Sequence, residues 1–221
     1  MSRTEIHDRD LDVNTLRPLA DFVLIEVIEQ PATSGGIILS LEKEGSRSEW
    51  VVGSVIEYGP GEFYPETGLT FPLYFKPGEY VVTMEYMGER IERDGKKYRL
   101  VRSHGIWCKL KFNGAPELLD IRKIEPITDH VLLKVKHEHK TKGGIILASK
   151  NPNLANSLAE VVAIGEGKVR KAATRATPLE IKVGETVCFA TYAGAIIKMN
   201  GDTYRLCTED DIIAVVKGLK R

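Results

Sequence analysis

The chain has 221 residues, of which 43% are hydrophobic and 28% charged, a composition typical of a globular protein that buries a core. Its 31 basic and 31 acidic residues give a formal net charge of zero. This balance argues against a nucleic-acid binder, whose affinity comes largely from phosphate neutralisation. No apolar run approaches the roughly 20 residues that cross a bilayer.

Residues 1–13, MSRTEIHDRDLDV, are predicted to form a tail before the first domain. They contain several acidic side chains and no apolar segment. A signal peptide needs the apolar segment, and a transit peptide is poor in acidic residues. We therefore expect a cytoplasmic protein of a bacterial or virus-infected cell, or a protein of the plastid stroma or another organelle whose leader has been removed.

Residues 14–112 are predicted to form a β-rich domain. In chain order, the predicted strands lie in LADFVLIEVIE, SVIEYG, KPGEYVVTM, RIERDGKKYRLV and SHGIWCKLKF. The pair Asp94-Gly95 stands between two alternating runs, which is the strongest short hairpin signal. Strands this short and evenly spaced indicate a small barrel.

Residues 113–119 break the pattern with Asn-Gly and a proline and are predicted to be a linker. The second domain, residues 120–221, then repeats the first. At a shift of 108 residues, 16–39 lies over 124–147 with 11 of 24 positions identical, including the run GGIIL. A register held this far shows a duplication. The predicted fold class is therefore all-β, with two tandem small β-barrels.

The alignment of the two copies changes its shift at one segment. From Gly53 onward the shift is 106 instead of 108, so two residues are missing from the second copy between Leu39 and Gly53. Length changes settle where the backbone is not fixed in a strand ladder. The segments SLEKEGSRSEW and ASKNPNLANSLA are also polar and aperiodic, and we predict a loop at this point in each half.

The ordered motifs, found twice, resemble the GroES family of small co-chaperonins. They are LRPLADFVLIEV, GGIIL, GSVIEYGPG, KPGEYV, a Tyr-Gly hairpin and a closing strand in the first half, and IEPITDHVLLKV through EDDIIAVV in the second. The tandem arrangement resembles the double co-chaperonin of chloroplasts. The resemblance implies GroES-like barrels, each with a long mobile loop and a roof β-hairpin. It also implies no catalytic site and no cofactor, because ATP is bound by the partner chaperonin.

The resemblance implies the partner and the docking residues as well. A co-chaperonin ring closes the folding cavity of a GroEL-type chaperonin, and each mobile loop docks a hydrophobic tripeptide between two helices of an apical domain. By resemblance the tripeptides are Ile37-Ile38-Leu39 and Ile145-Ile146-Leu147, and the glycines before them free the backbone to adapt. The predicted chaperonin-binding residues are Gly35, Gly36, Ile37, Ile38, Leu39, Gly143, Gly144, Ile145, Ile146 and Leu147.

The loops at about 31–52 and 139–158 are expected to be mobile in the free protein and ordered on binding. The alternative interpretation of GGIIL is a buried strand entered through a tight turn, since short apolar runs are ambiguous. Its repetition beside the segment of variable length favours the docking loop.

The three cysteines have no CxxC spacing and predict neither a disulfide framework nor a zinc knuckle. In the internal alignment Cys188 lies over Val82, Cys207 over Val101 and Cys108 over Ala214. Because the other copy fills each position with a small apolar residue, we predict buried packing for all three.

Two further motifs could indicate a ligand site. The sequence at 137–139, His-Glu-His, could place two ligands on one face of a strand, but the first copy has Glu-Gln-Pro there and no third ligand is apparent, so no metal site is predicted. The glycine pairs Gly59/Gly61 and Gly165/Gly167 lead into no helix and lack the GK[ST] of a P-loop. By resemblance they open the roof hairpins, aromatic in the first half and basic in the second.

Two other functions remain open on the sequence. A viral cap that diverts or inhibits a host chaperonin would have the same fold. A fragment of a zinc-dependent dehydrogenase shares a GroES-like barrel, but it would need metal-spaced Cys and His and a GxGxxG unit, and neither occurs.

The short linker predicts that the two halves are neighbours in a ring. In the family, the first strand of one subunit pairs with the last strand of the next. The closing strand near 106–112 should therefore lie beside the opening strand near 118–127. We expect self-association into a ring of three or four chains.

Overall fold

A computed structural model describes residues 12–28, 50–73, 75–111, 121–136, 158–167, 176–190, 192–199 and 201–216. These residues form strands joined by turns and by short 3₁₀ turns, with no α-helix among them. The all-β fold class is thereby confirmed. Within the same residues, no helix is long and apolar enough to span a membrane.

The first half contains eight strands: β1 (Phe22–Val27), β2 (Trp50–Tyr58), β3 (Glu62–Tyr64), β4 (Leu69–Phe71), β5 (Tyr80–Met84), β6 (Glu89–Arg93), β7 (Lys96–Arg102) and β8 (Ile106–Leu110). The 3₁₀ turns Val13–Thr15 and Ser103–Gly105 precede β1 and β8. Strands β3 and β4 pair as a separate hairpin, which is the predicted roof hairpin of this half.

The second half contains seven described strands: β9 (Ile124–Pro126), β10 (His130–Val135), β11 (Leu158–Ile164), β12 (Thr186–Phe189), β13 (Ala195–Met199), β14 (Asp202–Thr208) and β15 (Ile212–Val215). The 3₁₀ turns Ile121–Lys123 and Glu209–Asp211 occupy the positions equivalent to those of the first half. The linker and most of the second roof, residues 168–175, lie outside the described residues.

The two halves have the same antiparallel topology. The first sheet runs β6-β7-β1-β2-β5-β8-β9 and the second runs β13-β14-β10-β11-β12-β15. Even the irregularities repeat, since a bulge falls between Leu24 and Ile25 and again between Leu132 and Leu133. The internal alignment therefore matches residues that are structurally equivalent.

Each sheet folds around its own apolar core, as alternation along the strands predicts. The first core contains Val23, Ile25, Val55, Phe75, Val81, Val101 and Ile106. The second contains Val131, Leu133, Ala159, Val161, Ile181, Val187, Phe189 and Cys207. Residues from widely separated strands meet in one cluster, as in a small barrel.

The predicted hairpin at Asp94-Gly95 is present between β6 and β7. Asp94 and Gly95 both have positive φ, 51° and 73°, as the two central residues of a type I′ turn require. The right-handed twist of the flanking strands matches this turn, which explains why this residue pair predicts the hairpin so well.

The repeated glycines Gly59 and Gly165 are required by close backbone approach. A Cβ built on Gly59 would lie 2.2 Å from the carbonyl oxygen of Ala20, and one on Gly165 would lie 2.2 Å from that of Thr128. The backbone at Ala20 and at Thr128, just before the first long strand of each half, therefore lies directly against the glycine. No side chain fits at the glycine position. These glycines serve packing at the base of the roof segment.

We expect Gly59→Ala to lower the free energy of unfolding by about 3 kcal/mol or more, because the backbone must shift to admit the methyl group. Gly95→Ala is the matched control: its Cβ would meet nothing within 4 Å, so only the positive φ is penalised, by about 1 kcal/mol. Chemical denaturation measures both, and equal losses would contradict the steric explanation.

Candidate functional site

The two predicted docking segments leave the fold at equivalent places. In the first half, Val27 pairs with Gly53, and the Ile28 amide donates to the Val52 carbonyl at 2.9 Å. In the second half, Val135 pairs with Ala159, and the amide of Lys136 donates to the carbonyl of Leu158 at 2.8 Å. Each segment therefore begins and ends on two neighbouring strands, β1–β2 or β10–β11, so its ends are fixed side by side.

The ten predicted chaperonin-binding residues themselves, Gly35 to Leu39 and Gly143 to Leu147, lie outside the described residues. So does the His-Glu-His motif at 137–139. The structure gives the anchors of both segments, and the docking residues stay a prediction from the sequence.

A strand ladder joins the two halves. β8, the closing strand of the first half, pairs with β9, the opening strand of the second, with Cys108 opposite Pro126 and Leu110 opposite Ile124. The ladder extends at both ends, because the Ile127 amide donates to the Trp107 carbonyl at 3.3 Å and the Lys111 amide donates to the Lys123 carbonyl at 2.9 Å. The predicted adjacency of closing and opening strands is present in the structure.

An apolar cluster lies over this ladder and draws side chains from both halves; we call the ladder and cluster together the internal seam. The first half contributes Trp50, Val52, Val82, Met84, Cys108 and Leu110, and the second contributes Ile124, Leu132, Ala195, Ile197, Met199, Tyr204 and Leu206. All of these residues are buried. Burial of apolar area contributes roughly 25 cal/mol per Å², so this cluster stabilises the contact between the two halves.

Three aromatic side chains line one side of the internal seam. The rings of Trp50 and Trp107 meet edge to face with centroids 5.2 Å apart. The ring of Trp107 also packs against that of His130 of the second half, with centroids 4.9 Å apart and the planes tilted by 39°. Aromatic pairs in these arrangements contribute about 0.5–1.5 kcal/mol beyond their buried area.

His130 is a buried titratable group in this seam, with 4% of its surface exposed. Its Nδ1 donates to the carbonyl oxygen of Ile127 at 3.0 Å, since a carbonyl can only accept. Burial lowers the pKa of His130, although the Ile127 carbonyl and the carboxylates of Asp129, Asp211 and Glu166 act in the opposite direction. The imidazole is therefore neutral at neutral pH.

Comparison with known proteins agrees with the repeated fold. The family model described as "Chaperonin 10 Kd subunit" matches residues 15–110 and again residues 123–216. The chain belongs to this family. It carries two copies of the family domain, so the tandem GroES-like form predicted from the sequence is confirmed.

Some similar proteins match most of the chain, and others match less than half of it. The spinach "20 kDa chaperonin, chloroplastic" is 32% identical over 206 residues, covering 91% of this chain and 75% of that protein. The Arabidopsis thaliana protein of the same description is 27% identical over 205 residues, covering 91% and 76%. The "Co-chaperonin GroES" of Lactococcus lactis strain IL1403 is 40% identical over 95 residues, covering 42% of this chain and 99% of that protein.

Two of the three cysteines, Cys108 and Cys207, are unreactive thiols. Burial raises the pKa of Cys108, and it raises the pKa of Cys207 to about 12, so neither supplies a thiolate at neutral pH. Both are buried, as predicted. Cys188 is only half-buried, which corrects the prediction for that residue. Among the described residues, no group of three His, Cys, Asp or Glu could hold a metal ion.

Sequence reasoning missed the chemistry of the internal seam. It assigned no role to His130 or to Trp107. The signal was present, since both residues depart from their counterparts, Phe22 and Ile213, and the two departures face each other in the structure. Only the placement of the second half against β8 makes them a pair.

We expect stability to fall as the pH drops below about 6.5, the ordinary pKa of histidine. His130 is held neutral in the folded protein but takes up a proton in the unfolded chain, so protons favour unfolding until the lowered folded pKa is reached. Above pH 6.5 this contribution is fully present. Thermal unfolding of the wild type and of His130→Phe, the residue of the first copy, should diverge between pH 7 and 5. Parallel profiles would show that His130 is not the titrating group.

Proposed function

We propose that this chain is a non-enzymatic co-chaperonin that caps an ATP-bound GroEL-type chaperonin and assists protein folding. Docking is through Ile37-Ile38-Leu39 and Ile145-Ile146-Leu147. The supporting observation is that two GGIIL segments are anchored between equivalent strands of two equivalent barrels, which the internal seam joins into one unit. Membership of the family and the co-chaperonin names of the relatives support the same role.

The energetics of one segment explain why two are carried together. Burial of three aliphatic side chains contributes roughly 5–8 kcal/mol, whereas ordering about a dozen loop residues costs about 1 kcal/mol each or more. One segment alone binds weakly. Two segments on one firmly joined unit raise the effective concentration of the second contact, so affinity grows without new contacts, and weak single contacts still let the cap leave.

No cofactor is assigned to the chain, because ATP belongs to the chaperonin in this scheme. The raised pKa values of Cys108 and Cys207 agree with a role that involves no nucleophilic chemistry. Relatives named from a chloroplast and from bacteria support the bacterial cytoplasm or a plastid stroma as its compartment.

The chain is also proposed to assemble into a ring of three or four copies. The β8–β9 ladder joins the two halves as neighbours, so a closed ring of whole chains contains an even number of domains. Three chains supply six and four supply eight, and neither equals the seven docking positions of a typical chaperonin ring. Docking segments with the mobility predicted from the sequence would tolerate this mismatch of one.

Charged substitutions in the tripeptides test the docking role. We expect Ile38→Asp and Ile146→Asp each to weaken capping, and the double variant to abolish it, because a carboxylate cannot be buried in an apolar groove. Refolding of a stringent substrate by GroEL and ATP measures this effect. The melting temperature should be unchanged, and a large fall would show that GGIIL is a buried strand.

The same assay distinguishes assistance from inhibition. The wild-type chain should raise the refolding yield, whereas an inhibitory cap would bind the chaperonin and lower it. The chain alone should release no phosphate from ATP. Measurable hydrolysis by the pure chain would contradict a non-enzymatic role.

Native mass measurement tests the assembly. We expect a species of three or four chains. A mass of one chain at every concentration, or of seven chains in a single-layer ring, would contradict the arrangement in which the two halves are ring neighbours.

A further inference from the structure

A large cavity lies between the two halves, beside the roof hairpin of the first half; we call it the roof cavity. Its volume is about 1050 Å³, at the upper end of the range of roughly 300–1,000 Å³ that small-molecule pockets span. One wall is formed by β3, β4 and the residues that follow them, and another by residues 125–129 and 164–167. None of the buried residues of the apolar cluster in the internal seam lines it. The roof cavity is therefore separate from the cluster that joins the halves.

The roof hairpin has one face on the roof cavity. In the register of β3 and β4, Glu62 lies opposite Phe71 and Tyr64 lies opposite Leu69. Residues opposite each other in an antiparallel pair share a face, and successive residues alternate between faces. All four of these residues line the cavity, whereas Phe63, on the other face, does not line it and is 57% exposed. The hairpin thus gives the cavity one carboxylate and three apolar or aromatic side chains.

Apolar side chains from both halves form the walls of the roof cavity. Tyr64, Phe75 and Ile127 are buried, and Phe71 and Ile164 are half-buried. The rings of Tyr64 and Phe71 meet edge to face with centroids 5.2 Å apart. An aromatic and aliphatic lining between two domains, with a few polar groups, is typical of a pocket for a small organic molecule.

The charged part of the lining is mostly acidic. Four carboxylates line the roof cavity: Glu62, Glu125, Asp129 and Glu166. The described lining has one ammonium, that of Lys109, and one imidazole, that of His104. Carboxylates outside the lining already lie against both, since Lys109 Nζ is 3.0 Å from Glu79 Oε2 and His104 Nδ1 is 3.9 Å from Asp21 Oδ2. The described lining therefore has an excess of negative charge, which favours a cation.

Two of the carboxylates are held on different walls by neutral donors. The Tyr64 hydroxyl donates to Glu62 Oε2 at 2.8 Å, and the amide of Thr128 donates to Glu166 Oε2 at 3.0 Å. Burial and the Glu62 carboxylate raise the pKa of Tyr64 to about 12, so its hydroxyl stays a donor. No described cation pairs with Glu62 or Glu166. Both can accept the strong hydrogen bonds that an ammonium or guanidinium donates.

This chemistry is absent from the equivalent positions of the other copy. In the internal alignment the four residues on the cavity face of the hairpin have basic or polar counterparts: Lys168, Arg170, Arg175 and Thr177. Two further carboxylates of the cavity, Glu125 and Glu166, have Arg17 and Pro60 as counterparts. A requirement of the fold would act on both copies alike. The acidic and aromatic lining is therefore not needed to form the fold.

The roof cavity and the anchors of the second predicted docking segment lie at opposite ends of one ladder. Val135 pairs with Ala159 where that segment leaves β10, and Val131 pairs with Ile164 at the other end. Ile164 lines the cavity. Four residues of a strand span about 13 Å, so a ligand in the cavity does not reach these anchors.

We propose that the roof cavity binds a small amphipathic organic cation, which has an aliphatic or aromatic body and one ammonium or guanidinium group. Tyr64, Phe71 and Ile127 contact the body of the ligand. Glu62 and Glu166 attract its cationic group from two walls. This binding site does not depend on the proposed capping function.

Three matched probes test the proposal on the intact chain. Phenylbutylamine, phenylbutanol and phenylbutyrate share one body and differ in charge, and isothermal titration calorimetry measures their binding. We expect the amine to bind about tenfold or more tightly than the alcohol, and the carboxylate not to bind. Equal affinities for the amine and the alcohol would contradict a site for a cation. No binding of the amine would overturn the proposal.

Variants of the carboxylates test the assignment of the site. We expect Glu62→Gln and Glu166→Gln each to weaken binding of the amine by about fivefold or more and to leave binding of the alcohol unchanged, since only the charge is removed. Glu62→Lys, which introduces the residue of the second copy, should abolish binding of the amine. Glu66→Gln is the matched control, because Glu66 is an exposed carboxylate in the turn of the same hairpin that does not line the cavity. An equal loss in the control would contradict the proposed site.

The docking variants separate this proposal from the capping function. The chain with Ile38→Asp and Ile146→Asp should fail to cap a chaperonin and should bind the amine with unchanged affinity. Loss of amine binding in this variant would contradict the separation of the two sites. Unchanged amine binding by a wild-type chain that does not cap would support the roof cavity and contradict capping alone.

Other occupants of the roof cavity would give different results. The tripeptide Leu-Lys-Leu with blocked termini presents the same charge on a polypeptide, and binding tenfold tighter than that of the amine would assign the cavity to a partner protein instead. Residues 168–175 join Gly167 to Ala176, which both line the cavity, and they include four basic residues. Amine binding that appears only when those four are changed to serine would overturn the proposal, because the chain would then supply the cation itself.

Discussion

The pairing of β8 with β9, covered by the apolar cluster of the internal seam, is the contact on which the rest of this architecture depends. Without it, the chain would be two small barrels on a linker, free to take many relative positions. With it, the two predicted docking segments begin at fixed positions on a single unit. In the proposed capping role, weak docking by each segment then gives useful affinity, because the second segment binds as part of an already attached body.

The duplication has produced two copies that share a fold but not an outer surface. The inward-facing residues of the two barrels are interchangeable in character, as Val81 and Val187 illustrate. The outward-facing residues have diverged according to what covers them. Val82 faces the other half and is buried, whereas its counterpart Cys188 is only half-buried.

Burial of His130 in that seam couples its integrity to pH through a group absent from the first copy. Phe22, the counterpart, is half-buried and lies beneath the Arg102 guanidinium. The same strand position therefore holds a neutral imidazole in one half and a ring under a guanidinium in the other.

The sequence by itself determined the duplication, the all-β class, the hairpin at Asp94-Gly95 and the adjacency of closing and opening strands, because these depend on local turn geometry, alternation and a short linker. It also predicts the docking residues at 35–39 and 143–147, which stay predictions because they lie outside the described residues. Only the tertiary structure decided which outward-facing residues are buried. Trp107 meets His130, and Met84 joins Met199 in one cluster, through packing of one sheet face against another. Alternation shows that a residue faces outward, but it does not show what lies opposite.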